Sequence, residues 1–177
     1  STHSTDRALT ATSEDESMAE VVVRQAEVIG GEGSSDRVPQ SEHGVQLEGV
    51  VDVPDTWTMS SDGQERIALP DVEEFVGEGF QPNVSVTIGS TDDAGAVPAS
   101  ALVLSDRTEA AGERGHRRFR VALSDVQATQ LTHLIVTVDC DGTMLTVAAV
   151  ATESQWDRLA DAFDEVGRSA RLRPVER

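Results

Sequence analysis

The stretch that decides the fold is residues 131–172, LTHLIVTVDCDGTMLTVAAVATESQWDRLADAFDEVGRSARL. Two segments rich in β-branched residues, Thr132–Val138 and Thr143–Ala151, are separated by Asp139-Cys140-Asp141-Gly142. An Asp-Gly step between such segments is a strong hairpin signal, because both residues tolerate the positive φ that a tight turn needs. This stretch therefore predicts two antiparallel strands.

The residues after the hairpin predict an amphipathic helix that ends the domain. Apolar positions recur with the spacing of one helical face: Trp156, Leu159, Ala160, Phe163, Val166 and Gly167. The other face is charged and carries Asp157, Arg158, Asp161, Asp164, Glu165 and Arg168. We expect Trp156 and Phe163 to pack on the sheet, and we interpret Trp57 and Trp156 as core anchors.

Composition limits both the size of the fold and its partners. A chain of 177 residues has room for one domain with a substantial core. Acidic residues number 32 against 14 basic residues, the net charge is −18, and every basic residue is arginine. Such a surface repels phosphate, so nucleic acid is excluded as a partner and anionic membrane surfaces are disfavoured.

Cysteine content and hydropathy add two further limits. The single cysteine, Cys140, excludes an internal disulfide and a site with several thiolate ligands. No apolar run approaches the length that spans a bilayer, and no signal peptide is visible. We expect a cytoplasmic protein if Ser1 lies near the native start, and an exported or envelope protein if a signal sequence preceded it.

Residues 1–44 show little sign of packed structure. Residues 1–16 are polar and without period, so we expect a disordered tail, and we interpret 17–44 as an N-terminal extension and linker. Ser17-Met18-Ala19-Glu20 matches a helix capping box, which predicts a helix that ends before Gly30. The three valines that follow, at positions 21–23, favour a strand instead, because β-branched residues lose rotamer freedom in helices. Helix is the prediction.

The compact domain is predicted over residues 45–172, followed by a short tail at 173–177. Pro70 stands near the start of a short predicted helix that ends at Gly77. Residues 108–115 are predicted to be a polar loop within a hairpin. Alternating apolar residues predict strands at 45–53 and 80–88, and the segments 101–104 and 116–123 are predicted to be the two strands of that hairpin. This element order predicts an α+β fold, with a mainly antiparallel sheet covered by helices.

Three local patterns, in their order along the chain, carry a family resemblance. They are a strand that runs into Pro54-x-x-Trp57, the strand Phe80-Gln81-Pro82-Asn83-Val84-Ser85-Val86, and the closing hairpin and helix that ends in Ser169-Ala170-Arg171-Leu172. In this order they resemble the PsbP-like superfamily, and most of all its actinobacterial LpqN/LpqT-type domains. The resemblance covers about Val45 to Leu172.

The resemblance implies both a fold and a function. It implies a PsbP-like α/β/α sandwich, with a mainly antiparallel sheet and the C-terminal amphipathic helix packed on it. It also implies a non-catalytic protein-binding, adaptor or chaperone-like module associated with secretion or envelope processes, by analogy at the level of the fold. The alternative is a small-ligand-binding protein or an enzyme that uses a crevice between sheet and helix, beside His116 or His133.

Residue patterns predict no catalytic, metal or cofactor site. The chain contains no nucleophile elbow, HExxH helix, phosphate-binding loop or dinucleotide fingerprint. His3 and His43 lie in the predicted tail and linker, and His116 begins a predicted strand. His133 alternates with Ile135 on one strand, which is typical of a histidine whose hydrogen bonds are satisfied within a sheet.

The turn that contains Cys140 is interpreted as structural. Asp139 and Asp141 flank the thiol and raise its pKa, so a reactive cysteine is not expected. Asp139-x-Asp141-Gly142 also resembles the start of a calcium loop. The position that would supply the bidentate glutamate is Val150, however, so the sequence favours a plain hairpin turn.

One basic cluster opposes the acidic character of the chain. It comprises Arg107, Arg114, Arg117, Arg118 and Arg120. Arg118 and Arg120 share one face of a predicted strand, and Arg117, Arg118 and Arg120 are the predicted contact site for an acidic partner protein or for the chain's own acidic tail. The alternative is a set of ion pairs with the protein's own acidic surface.

Overall fold

Two antiparallel sheets and a long helix surround a shared core. The computed structural model describes residues 17–25, 46–62, 65–70, 72–91 and 97–176. The tail predicted at 1–16 lies outside the described residues, as do residues 26–44 of the predicted N-terminal extension and linker. In chain order the elements are β1 Met18–Arg24, β2 Leu47–Pro54, β3 Thr58–Asp62, β4 Glu65–Leu69, α1 Val72–Phe75, β5 Asn83–Ser90, β6 Leu102–Ala111, β7 Gly115–Val126, β8 Thr129–Cys140, β9 Thr143–Thr152, α2 Glu153–Ser169 and β10 Arg171–Pro174.

The larger sheet has seven strands in the order β3-β4-β5-β9-β8-β7-β6, and all neighbouring pairs are antiparallel. β8 and β9 form the predicted hairpin. Its two turn residues have positive φ, 52° at Asp141 and 84° at Gly142. The local turn chemistry therefore sets the register at the centre of the sheet, as the sequence predicts.

The two faces of the seven-stranded sheet have different roles. Val86, Val147 and Val136 are cross-strand neighbours on β5, β9 and β8, and all three are buried. This face, here called the core face, packs against α2 and the smaller sheet. Residues at the intervening positions point to the opposite face, here called the outer face.

Helix α2 begins with a complete capping box. The Thr152 hydroxyl accepts a hydrogen bond from the Gln155 amide, and the Gln155 side chain accepts one from the Thr152 amide. The buried face of the helix includes Phe163, which is only 1% exposed and makes edge contacts with two tryptophan rings. The centroid distances are 6.1 Å to Trp57 and 5.5 Å to Trp156. The predicted docking of the helix on the sheet is confirmed.

Two glycines lie where layers of the fold come close together. A Cβ at Gly167 of α2 would be 2.8 Å from Cγ2 of Val136, so a larger residue would push the helix from the sheet. A Cβ at Gly49 of β2 would collide with Leu145 of β9. The break at Gly49 in the apolar alternation of β2 therefore marks a site where the two sheets are in contact.

Residues 18–24 form a strand, so the helix predicted from Ser17 is wrong. β1 pairs with β2 from Met18 opposite Pro54 to Arg24 opposite Glu48. Val21 and Val23 are buried in the core, and the alternation of a strand places both on one side. Their burial outweighs the local capping signal.

The smaller sheet includes strands from both ends of the described chain. β1 pairs with one edge of β2 and β10 with the other, so the order is β1-β2-β10. The compact domain is predicted to run from residue 45 to residue 172. The smaller sheet also includes residues 18–24 before this range and residues 173–174 after it. The domain limits themselves stay a prediction.

An ion triad with a buried carboxylate and two partly exposed arginines crosses the three strands of this smaller sheet. Glu48 of β2 is 2% exposed, and its carboxylate accepts hydrogen bonds of 2.7 Å from Arg24 Nε and 2.6 Å from Arg173 Nε. Burial raises the pKa of Glu48, but the two guanidinium groups outweigh it and hold the pKa below its ordinary value. Glu48 thus joins β1 and β10 as a charged group, and loss of either arginine would leave that charge poorly compensated.

Two segments differ from the sequence prediction. Residues 58–62 and 65–69 form the unpredicted hairpin strands β3 and β4. Most of the predicted loop at 108–115 is strand, because β6 continues to Ala111 and β7 starts at Gly115. β6 is exposed along nearly its whole length, so it lacks the apolar alternation that would reveal a strand. The predicted short helix after Pro70 is present as α1.

Truncation of Phe163 tests the docking of α2. Phe163→Ala should reduce the free energy of unfolding by about 3–5 kcal/mol, the range for loss of a large aromatic side chain from a core. Urea denaturation followed by circular dichroism measures this loss. The control is Glu165→Ala on the exposed face of α2, for which a change within about 0.5 kcal/mol is expected. Equal stability of the two variants would contradict the packing described.

Candidate functional site

The strand register places two of the predicted arginines together on the outer face. Arg120 of β7 lies opposite Asp106 of β6, and Arg118 lies opposite Thr108. Residues alternate between the two faces of a strand, and Phe119, between the two arginines, points into the core. Arg118 and Arg120 therefore both lie on the face opposite α2.

These side chains line an open groove of about 750 Å³ over β6, β7, β8 and β9. Its lining is mainly polar, and three arginines face two aspartates. The lining residues are Thr91, Asp106, Arg107, Thr108, His116, Arg118, Arg120, Thr137, Asp139 and Met144. Hydroxyl groups and guanidinium groups together make this groove suited to carboxylate or phosphate oxygens.

Asp106 and Arg118 form the central ion pair of the groove. Arg118 Nε and Nη2 donate to the two carboxylate oxygens of Asp106 at 2.9 and 2.7 Å. This hydrogen-bonded pair lowers the pKa of Asp106 and raises that of Arg118. Burial lowers the pKa of the nearby Arg120, and the charge of Arg118 lowers it further. Two like charges thus lie close together beside one aspartate.

Arg117, the third residue of the predicted contact site, points to the core face. Its Nε and Nη2 atoms donate to the carbonyl oxygen of Ala170 at 3.2 and 2.8 Å, and Nη1 donates to Glu109 at 3.0 Å. Ala170 is the C-cap of α2. Arg117 therefore holds the end of the helix, and the structure separates it from Arg118 and Arg120.

The other two arginines of the cluster have different surroundings. Arg107 lies at the edge of the groove with its guanidinium carbon 4.1 Å from the ring centre of Phe119, a cation–π contact. Arg114 donates to Asp141 at 3.0 Å, next to the β8–β9 turn. The predicted cluster thus divides into arginines that line the groove and arginines that stabilise nearby turns and helix ends.

His133 is satisfied within the sheet, as predicted. Its Nε2 atom is 2.7 Å from the Ser124 hydroxyl, and burial lowers the pKa of its imidazole. A serine bound to a histidine is also how some nucleophiles are activated. Neither residue, however, lines the groove or the smaller cavity of about 240 Å³ beside Val126. We therefore interpret the pair as structural.

The other residues considered as site candidates in the sequence are the remaining histidines, Cys140 and the segment that resembles a calcium loop. His116 is exposed in the groove, 3.5 Å from Asp139. Burial raises the pKa of Cys140 and the nearby Asp141 raises it further, as expected of an unreactive thiol. The segment that resembles a calcium loop is the β8–β9 turn. His3 and His43 lie outside the described residues.

An exposed apolar segment at the start of β6 was missed by the sequence analysis. Leu102, Val103 and Leu104 are 63%, 43% and 53% exposed, and they are consecutive. In the sequence they read as an ordinary buried strand, because a short apolar run does not show whether it will be covered. Only the position of β6 at the end of the sheet exposes them.

The described residues contain neither a candidate membrane-spanning helix nor a group of metal ligands. No helix in this part of the chain has the length and apolar content required to cross a bilayer. In the same residues, no three histidine, cysteine, aspartate or glutamate side chains are grouped as metal ligands would be.

Comparison with known proteins shows the fold. No protein-family model and no curated protein matches the sequence. Among solved structures, LpqN, described as involved in cell envelope biogenesis of Mycobacterium tuberculosis, superposes with a TM-score of 0.55 and 14% identity over 94% of this chain and 97% of its own. Cyanobacterial PsbP (CyanoP) from Synechocystis matches at 15% identity and a TM-score of 0.47, over 83% of this chain and 99% of its own.

The fold is that of LpqN. The expected α+β architecture is confirmed, with a mainly antiparallel sheet and the C-terminal helix packed on it.

The lowered pKa of His133 predicts a pH dependence of stability. The unfolded chain binds this proton near the ordinary pKa of 6.5, whereas the folded protein binds it only at lower pH. Stability should therefore fall as the pH drops through 6.5 towards the folded pKa. His133→Gln keeps a hydrogen-bonding group near Ser124. It should remove the contribution of this histidine to the slope of the unfolding free energy against pH. Urea unfolding between about pH 5 and 8 measures it, and equal slopes for both proteins would contradict the prediction.

Proposed function

We propose that this protein is a non-catalytic binding module, an adaptor that holds an acidic segment of another protein in the outer-face groove. Arg118 and Arg120 are the proposed contact residues, with Arg107 at the edge. The partner's carboxylates would bind the guanidinium groups of Arg118 and Arg120, either in place of the Asp106 carboxylate or together with it. No nucleic acid, metal or cofactor takes part in this proposal.

The observation that carries the proposal is the local reversal of charge. The whole chain has a net charge of −18, yet residues 102–126 contain five arginines against four acidic residues. The groove itself is lined by three arginines and two aspartates. At physiological ionic strength charges interact over about 8 Å, so an acidic segment in the groove is attracted by these arginines more than it is repelled by distant carboxylates.

The shape of the groove supports a protein partner. Sites for small molecules are usually concave, apolar and largely enclosed. This groove is open and mainly polar, and it lies beside the exposed apolar residues at the start of β6. An open polar surface next to an apolar patch is typical of protein interfaces.

The likeness to LpqN supports the cellular setting that we propose. That protein is described as involved in cell envelope biogenesis. We accordingly place the partner of this protein in envelope or secretion processes.

Charge reversal in the groove tests the proposal. Immobilised protein captures its partner from native lysate, and the purified partner is then titrated by calorimetry. Arg118→Glu should weaken binding by about tenfold or more, equivalent to about 1.4 kcal/mol or more. Arg118→Glu combined with Arg120→Glu should weaken it further. Binding by the unmodified protein should also weaken from about 0.1 M to about 1 M salt, since screening shortens the range of these ion pairs.

A matched control separates the groove from general charge effects. Arg168 on α2 is also paired with one aspartate, Asp164, at 2.8 Å, and it is more exposed to solvent than Arg118. Arg168→Glu changes the net charge by the same amount and should leave binding unchanged. If Arg118→Glu binds the partner as tightly as the unmodified protein, the groove is not the contact site.

A further inference from the structure

Strand β6 is a long edge of the seven-stranded sheet. The sheet order ends at β6, and within the described residues no strand pairs with its other edge. Its residues from Leu102 to Ala110 are all exposed. A ten-residue edge presents a row of backbone N–H and C=O groups to any extended chain that comes alongside it.

The residue types along this edge change from apolar at its start to charged at its centre. Its first three residues, Leu102, Val103 and Leu104, are apolar and exposed. The central residues Asp106 and Arg107 lie beside the groove. A register shift between Val103 and Ser105 interrupts the pairing with β7 at the apolar end only, so the edge beyond it is regular.

We infer that β6 accepts an extended acidic segment of the partner protein, which pairs with it as an eighth strand. This inference rests on the proposed function and specifies how the partner is held. Main-chain hydrogen bonds to β6 would supply affinity, and side chains at alternate positions of the added strand would supply specificity.

The arginines determine which side chains such a strand needs. Neighbouring strands are about 4.8 Å apart, so the outer-face side chains of an added strand lie beside Asp106 and Thr108. The long side chains of Arg118 and Arg120 are in the next row. An acidic residue beside Thr108 faces Arg118 in the next row, and one beside Asp106 shares Arg118 and Arg120 with that aspartate. Apolar residues at one end of the added strand cover Leu102–Leu104.

A second copy of this chain fits the edge less well. Each copy has a net charge of −18, so two copies repel each other. Charge complementarity thus favours an acidic segment of a different protein.

A peptide probe tests strand addition directly. The probe is a decapeptide of alternating valine and glutamate, and its matched control carries N-methyl groups on four consecutive central residues. Methylation removes the donors and blocks pairing by either edge of the peptide but keeps every side chain. Fluorescence anisotropy measures both affinities, and hydrogen exchange by NMR measures amide protection in the protein.

Strand addition predicts three results together. The unmethylated peptide should bind at least about tenfold more tightly than the methylated one, a difference equivalent to about 1.4 kcal/mol. Its binding should slow exchange at alternate amides of β6, and Arg118→Glu should weaken it while Arg168→Glu does not. The free protein should sediment as a monomer without protection along this edge.

Other results would overturn the inference and separate it from the proposed function. If both peptides bind equally and Arg118→Glu weakens both, the groove holds acidic side chains without strand pairing, and only the strand inference fails. If neither peptide binds, strand addition by an acidic segment is wrong. If the free protein dimerises with β6 protected, the occupant is a second copy. If Arg118→Glu also leaves native partner binding unchanged, the proposed function fails as well.

Discussion

The rest of the structure depends on the packing of the buried Phe163 ring. Its ring is 1% exposed and lies against the edges of Trp57 and Trp156. Trp57 belongs to the turn between β2 and β3, so this one cluster joins the helix, the smaller sheet and the larger sheet. Aromatic side chains remove much apolar surface from water, which makes such a cluster the natural centre of a core with few aromatic residues.

Because helix α2 and the smaller sheet occupy the core face, the groove lies on the outer face. The twofold alternation of a strand then gives adjacent arginines different roles. Arg117 points towards the core face and holds the last carbonyl of α2, whereas Arg118 points outward and pairs with Asp106 in the groove. One strand thus contributes both to the stability of the helix and to the candidate site.

The candidate site was only partly predictable. The arginine cluster was visible in the sequence because five arginines within fourteen positions contrast with an acidic chain. Its division between two faces follows from strand alternation once the register with Asp106 and Phe119 is known. The exposed edge at Leu102–Leu104 could not be predicted, since exposure depends on which strand ends the sheet and not on the residues themselves.

The sequence by itself determined the elements whose signals are local: the β8–β9 hairpin through its Asp-Gly turn, and α2 through its helical spacing. A capping-box pattern that occurs twice in the chain shows the limit of what local signals predict. Thr152 with Gln155 caps α2, but the similar Ser17 with Glu20 precedes a strand. Only the tertiary structure decided the second case, because β1 gains its stability from the burial of Val21 and Val23 beside β2. A cap acts within one helical turn, whereas burial depends on chain segments that the fold brings from far along the sequence.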